Sequence, residues 1–475
     1  MDRRFFVLFV SLMVIVNIET SFATEKMTGL IINEKDAFQG YTMFSPKSCV
    51  NTFLINMKGE VVHTWESKYG PGQSVYLLDN GLLFRPAVLR NLEVSMGTAS
   101  GGFEVMDWEG NVVWFFEYHS KEYLPHHDME PLPNGNILVL AWEFKTEQEA
   151  LAYGRDPRLL RNKALWPEKI VEVQQTGPDK GKIVWEWRLW DHIIQDVDAN
   201  KPNYGIVKDH PELLDINSGT GKADWLHTNA IDYNPFLDQI VLSARQLNEL
   251  IILDHSTTTE EAKTHTGGKY GMGGDILYRW GNPLNYDSGS KADMLIEGQH
   301  DTRWIEPGLI GAGNIICFSN GAKRGYSSVE EFTPPMDENG NYSKPKPGKG
   351  YGPEKVSWSY SAPNKTDFYS QAVSGAQRLP NGNTLICSGT PGIFFEVTYD
   401  GEIVWKYINP VVRGGNIVDM YVDPKNNNGV FRCTRIPLDH NALTDKRLVS
   451  KGTLHEIYSD KIITEIKARV RKGKR

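Results

Sequence analysis

Cysteine is scarce: four residues in 475, Cys49, Cys317, Cys387 and Cys433. That is too few for a small scaffold held together by disulfides. After residue 23 no apolar run approaches the length of a membrane-spanning helix, so the mature chain should not cross a bilayer. Basic excess is also lacking. The formal net charge is −8, and the only basic run is the tail KARVRKGKR at 467–475. A broad nucleic-acid-binding face is thereby excluded, and the tail reads as a solvated end. What the chain does have is 40% hydrophobic residues and 13 tryptophans, enough for a large core.

Residues 1–23 read as a secretory signal. Arg3 and Arg4 give a positive start, Phe5 to Val16 is a short apolar run, and Ser21-Phe22-Ala23 offers small residues for cleavage. Removing them takes away two basic and two acidic groups and leaves the charge at −8. The mature protein is expected in an extracellular space or a periplasm. Asn341 and Asn364 begin glycosylation sequons, which matter in a eukaryotic source.

Two short patterns alternate along the rest. One is a hairpin ending in tryptophan, with Trp65, Trp114, Trp185, Trp280, Trp358 and Trp405 marking six units. The other is strand–PNGN–strand, as in MEPLPNGNILVL (129–140) and AQRLPNGNTLIC (376–387), with a degraded sixth copy at 420–433. Each pair gives four short strands. Six such units predict an all-β fold, a six-bladed β-propeller over residues 24–460 with a basic tail at 461–475. Residues 143–168 read as a helical insert and 333–353 as a surface loop. Pairing of the chain ends in one blade would close the ring. A Cys49–Cys433 bridge across that closure is one expectation. Cys317 and Cys387 stand one position out of register in equivalent strands, so buried thiols facing opposite ways are another.

Aligned repeats locate a site. Seven residues before the turn asparagines Asn80, Asn134 and Asn381 stand Gln73, His127 and Ser374; His227 and His300 occupy the matching strand starts. The first strand of each blade lines the axis, so these five should ring one polar funnel, with Asn416 as a candidate sixth. In DWLHTNAIDYNPFLDQIVLSAR (224–245) a hairpin should return Arg245 beside His227 and Asn229. A fixed cation, an imidazole and an amide together can hold an oxyanion. A single histidine here would more simply satisfy a loop; three in one ring with an arginine point to chemistry. By strand alternation His126 should point away, and Trp142 and Trp225 should lie near the mouth.

HHDMEPLPNGNILVL, DWLHTNAIDYN…IVLSAR, EGQHDTRW…GNIICFSNG and SGAQRLPNGNTLI…GEIVWKY resemble the bacterial arylsulfate sulfotransferase (ASST) family over about residues 30–440. The resemblance implies a six-bladed propeller that moves a sulfuryl group between phenols, with no nucleotide donor, cofactor or metal. It puts the nucleophilic histidine at His300 and the sulfate-binding residues at His127, His227, Asn229 and Arg245. A neutral imidazole can attack sulfur to give a sulfo-histidine. His127 or His227 would serve as acid and base. Gln73 and Ser374 would complete the substrate-binding wall. The expected partners are small phenols and aryl sulfates. The roughly thirty residues before the first repeat are too few for the N-terminal β-sandwich by which some members dimerise, so a monomer is expected. The family's short local disulfide has no counterpart, since no cysteine lies between Arg245 and His300.

Two other readings stay open. One is a non-catalytic propeller presenting the same funnel to a sulfated or carboxylated ligand. The other is a His-ligated metalloenzyme, favoured by Asp128 and Asp301 next to two of the histidines and opposed by the Arg245 charge.

Overall fold

The tryptophan-ended hairpins are the outer halves of six antiparallel sheets. In register, Thr52 faces Trp65, Val105 faces Trp114, Glu172 faces Trp185, Leu250 faces Trp280, Glu331 faces Trp358 and Glu396 faces Trp405. The indole then locks one blade to the next. The Nε1 of Trp65 donates to Asp107 O at 3.2 Å, that of Trp280 to Pro353 O at 2.9 Å and that of Trp358 to Tyr399 O at 2.8 Å. Trp405 Nε1 donates to Met57 O at 3.1 Å, joining the last blade to the first. Each acceptor sits in the outer turn of the following blade.

The computed structural model describes residues 28–47, 49–90, 92, 94, 97–419 and 428–459. The segments read as signal and tail lie outside the described residues. Six sheets radiate from one axis as a six-bladed β-propeller, with inner strands Tyr123–Pro131, Thr228–Asn234, His300–Trp304, Gly375–Arg378 and Val430–Pro437 and the short Gly70–Pro71 and Tyr76–Leu77. Apolar side chains of facing sheets pack in wedges, one in each of the six junctions. Burial at these junctions is the main favourable term holding the ring.

Closure differs from expectation in one element. The sixth inner strand is Val430–Pro437, paired with Gly40–Pro46 from the other end of the chain. It is not a strand led by Asn416, which therefore does not head an inner strand. The N-terminal Gly29–Asn33 adds a fifth, outermost strand to the last blade. All four cysteines are buried thiols and the Cys49–Cys433 bridge is not formed. Cys433 lies opposite Phe44 and in contact with Cys387, whereas the Cys49 thiol donates to Asn51 Oδ1 at 3.2 Å. The helical part of the 143–168 insert is short, a six-residue helix Glu147–Ala152 capped by Thr146 and Glu149 and a 3-10 turn Pro157–Leu159, and its ends pair as the strands Lys145–Thr146 and Ala164–Leu165. Residues 333–353 form a loop, with Tyr342 stacked on Tyr278 at 4.7 Å.

Inner strands of neighbouring blades do not pair, so their N–H groups need other acceptors. At four junctions a side chain of the preceding blade supplies one. Asp128 Oδ2 accepts from Ile231 N (3.3 Å), Asp232 Oδ2 from Trp304 N (2.8 Å), Asp301 Oδ2 from Ala376 N (2.9 Å) and Gln377 Oε1 from Arg435 N (2.7 Å). Arg432, from the closing strand, plugs the axis: it meets Asp128 at 2.7 Å and Asp301 at 2.8 Å, and Tyr76 Oη at 3.0 Å. A cavity of about 350 Å³ opens beyond this plug, lined by Glu130, Asp232, Trp304 and Arg378 among others.

Candidate active site

The histidines stand where the inner strands begin, and each start is irregular. Pairing slips between Pro125 and Met129, between Thr228 and Ile231, and between His300 and Arg303. A left-handed residue lies in or just before each slip: His127 (φ 53°) and Asp301 (φ 52°) inside theirs and His227 (φ 51°) one residue ahead of its own, with Gln73 and Ser374 also at positive φ. Such a conformation costs a non-glycine residue about 1 kcal/mol or more, and a bulge re-aims the side chains beside it. Thr228 pairs with Ala244, so His227 and Arg245 flank one rung of the sheet.

Three imidazoles form a row between two carboxylates. Glu168 Oε2 lies 2.9 Å from His126 Nε2, His126 Nδ1 lies 2.8 Å from His127 Nδ1, and His127 Nε2 lies 3.2 Å from His227 Nε2. His227 Nδ1 then meets Asp224 Oδ2. Glu168 also accepts from Thr228 N at 3.1 Å, and Trp142 Nε1 donates to Asp224 Oδ1 at 2.9 Å. The Trp142 ring stacks on His126, with centroids 4.0 Å apart. Although burial opposes it, the hydrogen bond with His227 holds the Asp224 carboxyl below its usual range. Burial, with His227 and His126 adding to it, holds His127 well below the ordinary imidazole value, so that ring is neutral. The rings meet nitrogen to nitrogen in a line and do not converge on a point, which is a relay geometry and not a ligand set.

His300 is held differently. Its Nδ1 lies 2.6 Å from Asn320 Oδ1 and 3.2 Å from Gly298 O, both acceptors, so Nδ1 carries the proton. The Asn320 amide is fixed in that sense by donating to Ser370 O (2.7 Å) and Val373 O (3.0 Å). The lone pair is left on Nε2, where Val373 N donates at 3.1 Å. Burial first, and then the nearby Arg245 charge, keep His300 well below the usual range and neutral. Arg245 forms no ion pair among the described residues, and its buried Nε has no hydrogen-bond partner. Burial lowers its pKa and Asp224 pulls the other way.

His127, His227, His300 and Arg245 are thus brought together. Asn229 is fully buried beside them, its Nδ2 donating to Gln299 O at 2.8 Å and its Oδ1 without a partner. Gln73 donates to Gly97 O at 3.0 Å. The Ser374 hydroxyl is taken up by Ser370 (2.9 Å) and Gly389 N (3.0 Å), so the group its blade presents to His300 is the Val373 amide. Trp225 is buried and donates to Ser218 O, away from the histidine row. Asp128 and Asp301 are engaged by Arg432. His126, read from the sequence as pointing away, is the first ring of the row, between Glu168 and His127. Glu168 beside His126, Asp224 beside His227 and Asn320 beside His300 come from other elements and left no periodic trace in the sequence.

No functionally curated protein matches the chain. Among solved structures, a protein of unknown function from Bacteroides caccae is 11% identical, with 83% of this chain and 98% of that chain covered and a TM-score of 0.45. Virginiamycin B lyase from Staphylococcus aureus is 9% identical, with coverages of 79% and 87% and a TM-score of 0.35. Likeness at these scores carries no argument. The family model described as Arylsulfotransferase (ASST) matches residues 88–432, which hold every histidine of the row, His300 and Arg245. With most of its length under that match, the chain belongs to the arylsulfotransferase (ASST) family.

Proposed function

We propose that the protein moves a sulfuryl group from an aryl sulfate to a phenolic acceptor through a sulfo-histidine at His300. The family supports aryl sulfotransferase activity in general. The observation that carries the finer reading is the Arg245 cation, partly buried, in ion-pair contact with no carboxylate among the described residues and felt at His300. A desolvated charge without a partner calls for an anion. A sulfate ester brings one, and Arg245 with the remaining Asn229 proton would hold its oxygens while Nε2 of His300 attacks sulfur. Gln73 and Ser374 would shape the wall.

The S–O bond breaks as the S–N bond forms, and the leaving phenolate takes a proton from Nε2 of His227, which gives up its contact with His127 as it does so. In the second half the acceptor hydroxyl returns that proton to His227, its oxygen attacks sulfur and the S–N bond breaks. The Nδ1 proton shared with Asn320 stabilises the charged intermediate, and the Val373 amide is freed to donate to a sulfate oxygen. The row accounts for the proton. Four contacts, from Glu168 to Asp224, need four protons, and three neutral rings bring three. The row therefore works with one extra proton, which it gives to the first phenolate and recovers from the second phenol. The N-terminal secretory signal would place this reaction outside the cytoplasm.

The test uses p-nitrophenyl sulfate with and without phenol, wild type beside His300→Ala. Expected are phenol-dependent nitrophenol release and, without acceptor, trapped protein heavier by one SO3. Turnover undiminished in His300→Ala would overturn the assignment; no turnover of any aryl sulfate by folded wild type would leave a binding propeller.

A further inference from the structure

Away from the axis, at the rim between the third and fourth blades, two inserts bring two histidines and a carboxylate together. His192 ends the short 3-10 turn Leu189–His192 that follows the last strand of the third blade. His265 and Asp275 lie at either end of the glycine-rich stretch between the outer strands of the fourth blade, Glu249–Asp254 and Ile276–Trp280. Nδ1 of His192 and Nδ1 of His265 lie 2.7 and 2.8 Å from one atom, Oδ1 of Asp275. The three side chains offer ligand atoms all within 4.8 Å of one another.

The hydrogen-bond arithmetic leaves a charge missing. His192 Nε2 lies 2.8 Å from Ala262 O. A carbonyl only accepts, so Nε2 carries the proton, and in a neutral ring Nδ1 is a lone pair pressed against a carboxylate oxygen. His192 is fully buried. A second ring nitrogen is aimed at the same oxygen. A cation between the three atoms resolves the conflict, and an N–H bonded to a backbone carbonyl is the usual orienting contact of a metal-bound imidazole. Ligands about 2.0–2.2 Å from a tetrahedral centre stand about 3.3 Å apart. The donors would open by about half an ångström, which the exposed His265 permits.

The surroundings are built for this approach. Trp187 lies parallel to the His192 ring at 5.9 Å, and its Nε1 donates to Gly274 O at 2.8 Å. A Cβ at Gly274 would stand 2.5 Å from His192 Nε2, so only glycine lets the loop come this close. Beside His265 a cavity of about 440 Å³ is lined also by Asp191 and His210, leaving room for water on an open position.

We propose that His192, His265 and Asp275 bind one divalent zinc-type ion that ties the two inserts together. Two imidazole nitrogens with one carboxylate select zinc or a similar transition ion over calcium or magnesium. The inference is independent of the sulfuryl-transfer reading, since none of the three residues belongs to the axial row.

The full chain, stripped with a chelator, would be titrated with zinc chloride by calorimetry and by thermal melting, beside His265→Ala and Asp275→Asn. One equivalent should bind the wild type and raise its melting temperature. His265→Ala, an exposed change that the fold tolerates, should weaken binding by about 100-fold or more. Cobalt in place of zinc should give visible absorption bands in the wild type and not in the variant. No one-equivalent binding to the wild type, or the same binding in His265→Ala, would overturn the proposal and leave a buried His192 imidazolium paired with Asp275.

Discussion

Asn320 Oδ1 accepts the Nδ1 proton of His300 at 2.6 Å, while the Asn320 amide is spent on two backbone carbonyls. The carboxamide cannot turn over without losing both, so it fixes which nitrogen of His300 carries the lone pair. In Asn320→Ala the buried Nδ1–H loses its nearer acceptor and keeps only the longer contact to Gly298 O, a cost of up to about 1–3 kcal/mol. If that cost falls on the attacking state, kcat/KM for an aryl sulfate drops about 5- to 150-fold. Asn320→Asp should raise the His300 pKa, because a carboxylate favours imidazolium, and so move the acid limb of the rate profile upward. An unchanged profile in Asn320→Asp would sever Asn320 from the nucleophile.

His126 touches no substrate in this scheme and acts through His127 as a positioning and proton-sharing residue. His126→Asn should slow transfer by about 100-fold for donors with poor phenol leaving groups, the scale of general acid catalysis. Nitrophenyl sulfate, whose leaving group needs little protonation, should be affected far less. Rates across a series of substituted phenyl sulfates would show this as a steeper dependence on leaving-group pKa. A uniform loss across the series would mean a merely structural role.

The difference between these two residues also shows what a sequence reveals. The Trp-ended hairpins and the Thr228–Ala244 register are local, set by alternation and a nearby turn, and they were legible along with the positions of His127, His227, His300 and Arg245. His126 was misread because alternation fails where its neighbour His127 turns left-handed, at φ 53°. Asn320 and Glu168 reach the site from second and third strands of their blades, or just beyond, where nothing periodic marks them. The sixth inner strand was misplaced because Val430–Pro437 takes its partner from the far end of the chain. Cys433 then faces Cys387 across a blade junction and lies out of Cys49's reach.

Stability should fall on both sides of neutrality, from separate groups. His127 and His300 are held well below the usual imidazole range, chiefly by burial, so the folded chain resists protonating them. Below about pH 6.5 the unfolded chain takes up those protons and the folded one does not. Well below that pH the unfolding free energy should drop by about 3 kcal/mol per pH unit, two protons' worth, and His300→Gln should roughly halve that slope. His255 has the opposite sign. Burial pulls it down, but the Asp238 and Glu172 carboxylates outweigh that and raise it to about 9. Its contribution is complete below about pH 6.5 and is lost as pH rises through 9. Urea melts of wild type and His255→Gln from pH 5 to 10 would check both limbs. A variant that keeps the alkaline loss would absolve His255.

Arg245 sets function against stability. Its charge is partly withdrawn from water and, among the described residues, meets no carboxylate at contact distance, while its buried Nε finds no partner among them. The free protein bears that cost and an anionic substrate relieves it. Arg245→Met keeps much of the stem and removes the charge. It should melt no lower than wild type, and about 1 to 3 °C higher if the whole cost is recovered. Its kcat/KM should fall by about 100-fold or more, the scale of a lost charge-assisted hydrogen bond. Inorganic sulfate separates this from a general weakening of the site. It should raise the melting temperature of the wild type, since a ligand of the folded state stabilises by mass action, and leave Arg245→Met unmoved. Equal protection of both proteins would mean that the anion is held elsewhere, and the reading of the funnel as a sulfate ester site would lose its main support.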